Sequence, residues 1–194
     1  MARSKEFIRE DILDKAIELF SSRGYNGSSM EDVTNHTGLS RSSLYDTFGD
    51  KRGLYIAALE RYRSQASGDL IALANNSTDA MQTIKKIFSL IISGSLDDEF
   101  FKGCFMINST VELAPHDKEI GNMVAFNMQA VEDALYKLIK RGQDAGQLTL
   151  KHNARSIARF LFNTISGLRV AAKAGAGKKV FEDILKVTLS VLTE

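Results

Sequence analysis

The run from Ser28 to Arg52, SSMEDVTNHTGLSRSSLYDTFGDKR, constrains the chain more than any other stretch. A cap, a short apolar-periodic segment, a glycine turn, a second cap and a second short segment follow one another. That order predicts two short helices joined by a tight turn, then the start of a third. This is the layout of a helix-turn-helix DNA reader. Such a unit needs far less apolar sequence than is present: 44% of the 194 residues are hydrophobic and one is proline. The remainder is expected to do a second job.

The apolar periodicity is helical from end to end. Ile8, Ile12, Ala16, Leu19 and Phe20 predict a first helix over about Lys5 to Arg23, ended by Gly24. Ser28 and Glu31 have capping-box spacing at the start of helix 2, with Met30, Val33 and Thr34 toward the core. Thr37, Gly38 and Leu39 form the turn, and Ser40 caps helix 3, which runs to Phe48. Gly49 breaks it, and Asp50 caps a helix that continues past Leu59 and Tyr62 toward Leu73.

Beyond a polar break at NNSTD, Thr78 or Asp79 caps a helix reaching Ile92, and SGSLDDEFFKG (93–103) reads as a loop. A helix through Cys104 to Leu113 ends before Pro115, and Asp117 caps a long helix that frays at Gly142 and Gly146. Helices follow from Asn153 to Lys173 and, after the AGAGKK connector, through Phe181, Ile184, Leu185, Thr188 and Leu192. The expected fold is all-α, with about nine helices. The expected division is a three-helix DNA-binding domain over residues 1–50 and a second helical domain over residues 51–194.

No stretch of about 18 apolar residues occurs, so no membrane span is expected. Acidic residues interrupt the N-terminal apolar run, which argues against a secretory signal, and one cysteine excludes an intramolecular disulfide framework. A cytoplasmic location follows as the expectation. Net charge is +1, and residues 1–63 carry ten basic and ten acidic side chains. Only the placement of charge, not its sum, favours DNA.

A reading helix must offer short or adaptable polar groups at its N-terminal turn. Arg41, Ser42 and Ser43 do so, and the free amides over Ser40 to Ser43 favour a phosphate. Tyr45 offers a ring that can pack and a hydroxyl that can bond a phosphate. Lys51, in the first turn of helix 4, is placed to clamp the DNA backbone, and Ser28 and Ser29 offer a second phosphate contact. Taken singly, each has a plainer reading: Arg41 and Lys51 as solvated charges, Tyr45 as a surface aromatic, Gly38 as a turn former. Their joint order carries the case.

Residues 5–56 resemble the N-terminal domain of TetR-family transcriptional regulators. The resemblance rests on Phe20, Gly24, Tyr25, Ser28, Gly38, Leu39, Ser40, Leu44, Tyr45, Phe48 and Lys51. It implies a dimeric, repressor-like protein on double-stranded operator DNA, and carries Ser29, Arg41, Ser42, Ser43, Tyr45 and Lys51 into DNA contact. Asp46 and Thr47 depart from the residues many relatives have. An acid near phosphates costs affinity unless it meets a cytosine amino group, Arg41 or Arg52. Gly53 falls inside helix 4, where glycine weakens a helix by roughly 1 kcal/mol relative to alanine.

In that family the second domain binds a small molecule and forms the dimer, and residues 102–117 resemble one subgroup of such domains. The residues agree in outline: apolar Met106, Phe126 and Met128 form a candidate pocket wall, with Asn108, Glu112 and Asn163 orienting a small, mostly apolar effector. Asn127, Thr164 and Arg169 are further polar candidates. The plainer reading makes the Met and Phe residues core. The last two helices carry excess apolar surface that a homodimer would cover. Neither a cofactor nor a metal is expected. Cys104, His116 and Asp117 include thiol-catalysis residue types, but His116 and Asp117 are adjacent and no oxyanion motif accompanies them, so no catalytic residue is assigned. The rivals to a ligand-released repressor are a helix-turn-helix adaptor and an electrophile or redox sensor acting through Cys104, itself expected to be a small core residue.

Overall fold

The computed structural model describes residues 2–96 and 104–193. Among them are ten α-helices and a π-helical turn, and no strand. The helices are α1 (Ala2–Arg23), α2 (Met30–Thr37), α3 (Arg41–Phe48), α4 (Lys51–Tyr62), α5 (Gly68–Asn76), α6 (Ala80–Leu96), α7 (Phe105–Glu112), α8 (Lys118–Asp144), α9 (Ala154–Lys173) and α10 (Lys178–Ser190). Residues 51–76 are helical throughout, as expected of one helix from Asp50 toward Leu73. A π-helical turn at Arg63–Ser67 divides that helix into α4 and α5. Helix α6 continues to Leu96, past the end expected near Ile92. The rest of the expected loop, including Lys102 and Gly103, lies outside the described residues, as does the side chain of Ile8.

The helices pack as two compact units. The first comprises Met1–Gln65 and Cys104–Val124. Its core is the inward stripe of α1 (Ile12, Ala16, Leu19, Phe20) against that of α4 (Leu54, Tyr55, Ala58, Leu59), with Val33, Leu44, Phe105 and Ile120 buried alongside. The ring of Tyr55 meets those of Phe20 and Phe105 edge-on, each at 4.9 Å between centroids. Such pairs add roughly 0.5–1.5 kcal/mol beyond area burial. The Tyr55 hydroxyl pairs with Ser109 Oγ at 2.7 Å, and burial holds the phenol well above its usual range. This unit is larger than the 1–50 segment marked out by sequence, because α4 and residues 104–124 share its core.

The second unit comprises Ala66–Gly103 and Ala125–Glu194. Its core joins Ile84 and Phe88 of α6, Leu135 and Leu138 of α8, Leu161 and Leu168 of α9, and Phe181 of α10. The Asp79 carboxylate accepts from the Gln82 amide at 2.9 Å and caps α6. Gly142 does not fray α8. It is buried within the helix, where a Cβ would lie 2.5 Å from Ala80 Cβ and 2.7 Å from Leu148 Cδ1. Close packing, not helix termination, accounts for it; the chain turns at Gly146, with φ +68°.

Candidate nucleic-acid interface

The pair α2–α3 is set by its caps. Helix α2 starts one residue later than its first serine suggests. Ser29 Oγ accepts from the Asp32 amide at 3.0 Å, and Asp32 Oδ2 accepts from the Ser29 amide at 2.8 Å. The capping box is therefore Ser29 with Asp32, not Ser28 with Glu31. Two overlapping Ser-x-x-acid frames exist, and packing selects the one that buries Val33 and Thr37 on one face. The Ser29 hydroxyl and amide, with Arg23 beside them, hold the Asp32 carboxyl below its usual range. Ser28 is buried, and its hydroxyl donates to the Gly24 carbonyl at 2.7 Å. It closes the α1–α2 turn, so the hydroxyl expected to meet a phosphate is buried and engaged within the chain.

Gly38, at φ +77°, ends α2, and its amide donates to the Thr34 carbonyl at 2.9 Å. Ser40 caps α3 as expected, its Oγ accepting from the Ser43 amide at 3.1 Å. Leu44 is fully buried and Phe48 half-buried, so one face of α3 is spent on packing. The other face leaves Arg41, Ser42, Ser43, Tyr45, Asp46 and Thr47 exposed, the Tyr45 side chain included at 52%. Arg52, considered as a partner for Asp46, is engaged elsewhere: it donates to both Asp117 oxygens at 2.7 and 2.9 Å and to Glu119 at 2.9 Å.

Gly53 is not a mere weak point in α4. A Cβ there would lie 1.9 Å from the Phe48 carbonyl oxygen, so the tight passage from α3 to α4 requires glycine. Lys51 is half-buried, with Nζ donating to the carbonyls of Tyr25 at 2.8 Å and Ser28 at 2.6 Å. The ammonium also sits 4.0 Å from the centroid of the Tyr25 ring. Desolvation lowers its pKa, and the carboxylates of Glu112 and Asp32 partly offset this. Its charge is directed at the α1–α2 turn, a placement that the spacing of α4 alone did not reveal.

The six candidate ligand residues divide between the units. Met106 is buried in the first unit's core. Asn108 Nδ2 donates to the Ser21 carbonyl at 2.9 Å. Glu112 accepts from the amides of Tyr25 at 3.0 Å and Asn26 at 2.7 Å. Asn108 Nδ2 and both Glu112 carboxylate oxygens are thus engaged with backbone groups and brace α1 and its turn, a role that the sequence reading, which had them orient a ligand, did not foresee. In the second unit Phe126, Met128 and Asn163 are exposed. That unit holds a cleft of about 220 Å³ lined by Ala66, Asp69, Leu70, Leu73, Ile87, Leu90, Ile91 and Arg169. Of the wider candidates only Arg169 lines it. Sequence reasoning missed the others because they sit on helices separated by turns, with no shared periodicity. Cys104 is buried and accepts a hydrogen bond from the Tyr62 hydroxyl at 3.3 Å. Among the described residues no helix is long and apolar enough to cross a membrane.

Comparison with known proteins agrees with this geometry. Residues 12–58 match the family described as bacterial regulatory proteins, tetR family, and residues 80–187 match the tetracyclin repressor-like C-terminal domain. The chain is 34% identical over 193 residues to the uncharacterized HTH-type transcriptional regulator YezE of Bacillus subtilis, covering 99% of this chain and all of that one. It is 29% identical to the HTH-type transcriptional repressor ComR of Escherichia coli, covering 99% of this chain and 92% of that one. Among solved structures, the TetR family transcriptional regulator CifR, a cysteine mutant complexed with 26-bp double-strand operator DNA, shares the fold at TM-score 0.83. Identity there is 21%, with 94% of this chain and 95% of that chain covered. The chain thus belongs to the TetR family and is a DNA-binding transcriptional regulator, not an enzyme.

Proposed function

We propose that the chain is a homodimeric repressor that binds a palindromic operator through α3 and is released by a small, mostly apolar molecule. The observation that carries this is the division of α3 into a buried Leu44 face and an exposed face bearing Arg41, Ser42, Ser43 and Tyr45. A major groove admits one helix, and a capped N-terminal turn presents both side chains and free amides to it. Arg41 is the base-reading candidate; Ser29, Ser40, Ser42, Ser43 and Tyr45 are candidates for positioning on phosphate. Exposed Phe160 and Val170 on α9, and Val180 and Val187 on α10, support self-association through these helices. Two-fold symmetry then calls for an inverted repeat with half-sites one helical turn apart. ComR, itself named a repressor, and CifR, solved on operator DNA, lend support by likeness.

The effector class rests on the cleft in the second unit, apolar through Leu70, Leu73, Ile87, Leu90 and Ile91 and polar at Asp69 and Arg169. Release requires the effector to bind a conformation other than the DNA-competent one more tightly; a coupling of ~1–3 kcal/mol weakens operator binding roughly 5–150-fold. The test is a selection of bound duplexes from a random pool, followed by sedimentation of the protein. An enriched inverted repeat and a dimer at micromolar concentration are expected. No enriched motif, or a monomer, would refute the proposal.

A further inference from the structure

The turn between α1 and α2 is held from two sides by residues distant in sequence. Lys51, at the start of α4, donates to the carbonyls of Tyr25 and Ser28. Glu112, the last residue of α7, accepts from the amides of Tyr25 and Asn26. The carboxylate reaches the turn because residue 24 is glycine: a Cβ there would lie 2.7 Å from Glu112 Oε2, and the backbone is left-handed at φ +76°. The Tyr25 ring lies between the Lys51 ammonium and the ring of Tyr55, which it meets edge-on at 5.2 Å. Four backbone groups of one short turn are thus fixed by one cation and one anion.

We infer that Lys51 and Glu112 are positioning residues for duplex binding, acting through the 24–28 turn to fix the start of α2 and so the pose of α3, and not by touching DNA. This rests on the proposed reading of α3 as the DNA-facing helix. It has two consequences that simple charge arguments reverse. A lysine that neutralises a phosphate contributes to the salt dependence of binding, whereas one spent on two carbonyls does not. Removing an acid near DNA should strengthen binding electrostatically, whereas loss of Glu112 should weaken it, because the turn is released.

The experiment uses the full-length dimer, with the duplex selected by the wild-type protein as probe. Amide hydrogen exchange at Tyr25 and Asn26 is measured without DNA, and affinity is measured across salt concentrations. Lys51→Ala and Glu112→Ala are each expected to lower affinity about tenfold or more, with the salt slope unchanged. Glu112→Ala should speed exchange at Tyr25 and Asn26 at least tenfold while α8 and α9 amides stay at wild-type rates. Glu112→Gln, which keeps one acceptor oxygen, should fall between wild type and Glu112→Ala in both readouts. A slope reduced by about 1 in Lys51→Ala would assign that residue to a phosphate and overturn the inference. So would unchanged exchange at Tyr25 and Asn26, or tighter binding, in Glu112→Ala. Failure of the wild-type protein to retain any duplex would count against the reading of α3 instead, while the exchange measurement decides the clamp independently.

Discussion

Replacing Asp117 by asparagine should isolate the charge of the tie between α4 and the start of α8. Asp117 accepts both forks of the Arg52 guanidinium and also caps α8 through the amides of Glu119 at 3.0 Å and Ile120 at 3.2 Å. Asparagine retains a capping oxygen, so the helix start survives while the ion pair is lost. Arg52, first, and the two amides pull the Asp117 carboxyl from its ordinary 3.8 down to about 2. Shielded from water, such a carboxyl would add at most about 2.4 kcal/mol above pH 4. The pair is not shielded: Arg52 is 41% and Asp117 20% exposed. Solvent screening brings the expected contribution to about 1 kcal/mol. The folded pKa lies below the unfolded one, so this stability is fully present above about pH 4 and is lost as pH falls toward 2. Urea unfolding of wild type and Asp117→Asn should therefore differ by about 1 kcal/mol at pH 7 and converge progressively below pH 4. A gap that persists undiminished at pH 2.5, or no gap at pH 7, would refute the assignment of the stability to the charge.

Other outcomes follow from the first unit's packing and from α3. Leu44→Ala removes a fully buried side chain and should cost ~2–5 kcal/mol in urea unfolding. Gly53→Ala should destabilise the protein, although helix propensity alone would stabilise it by roughly 1 kcal/mol, because the new Cβ meets the Phe48 carbonyl; denaturation midpoints decide the sign. Arg41→Ala should relax preference at one operator position, at ~1–3 kcal/mol for a lost bidentate pair, in a repeated duplex selection. Cys104→Ser should retain the fold and the selected duplex affinity, since the thiol is buried beneath Tyr62; loss of response to thiol-directed oxidants without loss of DNA binding would instead identify a sensor.

Local chemistry made α2 and α3 legible from the chain alone. Ser40, Gly38 and Gly49 act within four residues of themselves, by a hydroxyl accepting an amide or by left-handed backbone. Where two local solutions competed, as at Ser28 and Ser29, burial of Val33 decided between them, and that is a tertiary fact. Gly53 and Gly142 looked like helix weaknesses because their neighbours, Phe48 and Ala80, lie across a turn or in another helix. The cleft residues were illegible for the same reason. The brace that Glu112 forms was not read from the sequence, yet one signal was available. An acid at the last residue of a helix faces the negative end of the helix dipole, an unfavourable place unless donors come from elsewhere. The donors are the amides of Tyr25 and Asn26.

The polar side chains of α7 point to the same principle. In a surface helix, polar residues at helical spacing usually mark the solvated face. In α7, Asn108 and Glu112 are four apart, and with Ser109 they bond Ser21, the 25–26 amides and Tyr55, all within the first unit. Val111, by contrast, is 76% exposed. The helix directs these groups onto a carbonyl near the end of α1, the amides of the turn that follows and the hydroxyl of a buried tyrosine. Of these pairs the Tyr55–Ser109 bond is buried, where an unpaired polar group costs about 1–3 kcal/mol, whereas the Ser21 and Tyr25 bonds are part-buried and the Asn26 bond is exposed. The requirement to satisfy α1 and its turn therefore fixes which face of α7 packs. It also explains why residues 104–112, remote in sequence, complete the unit that carries α3.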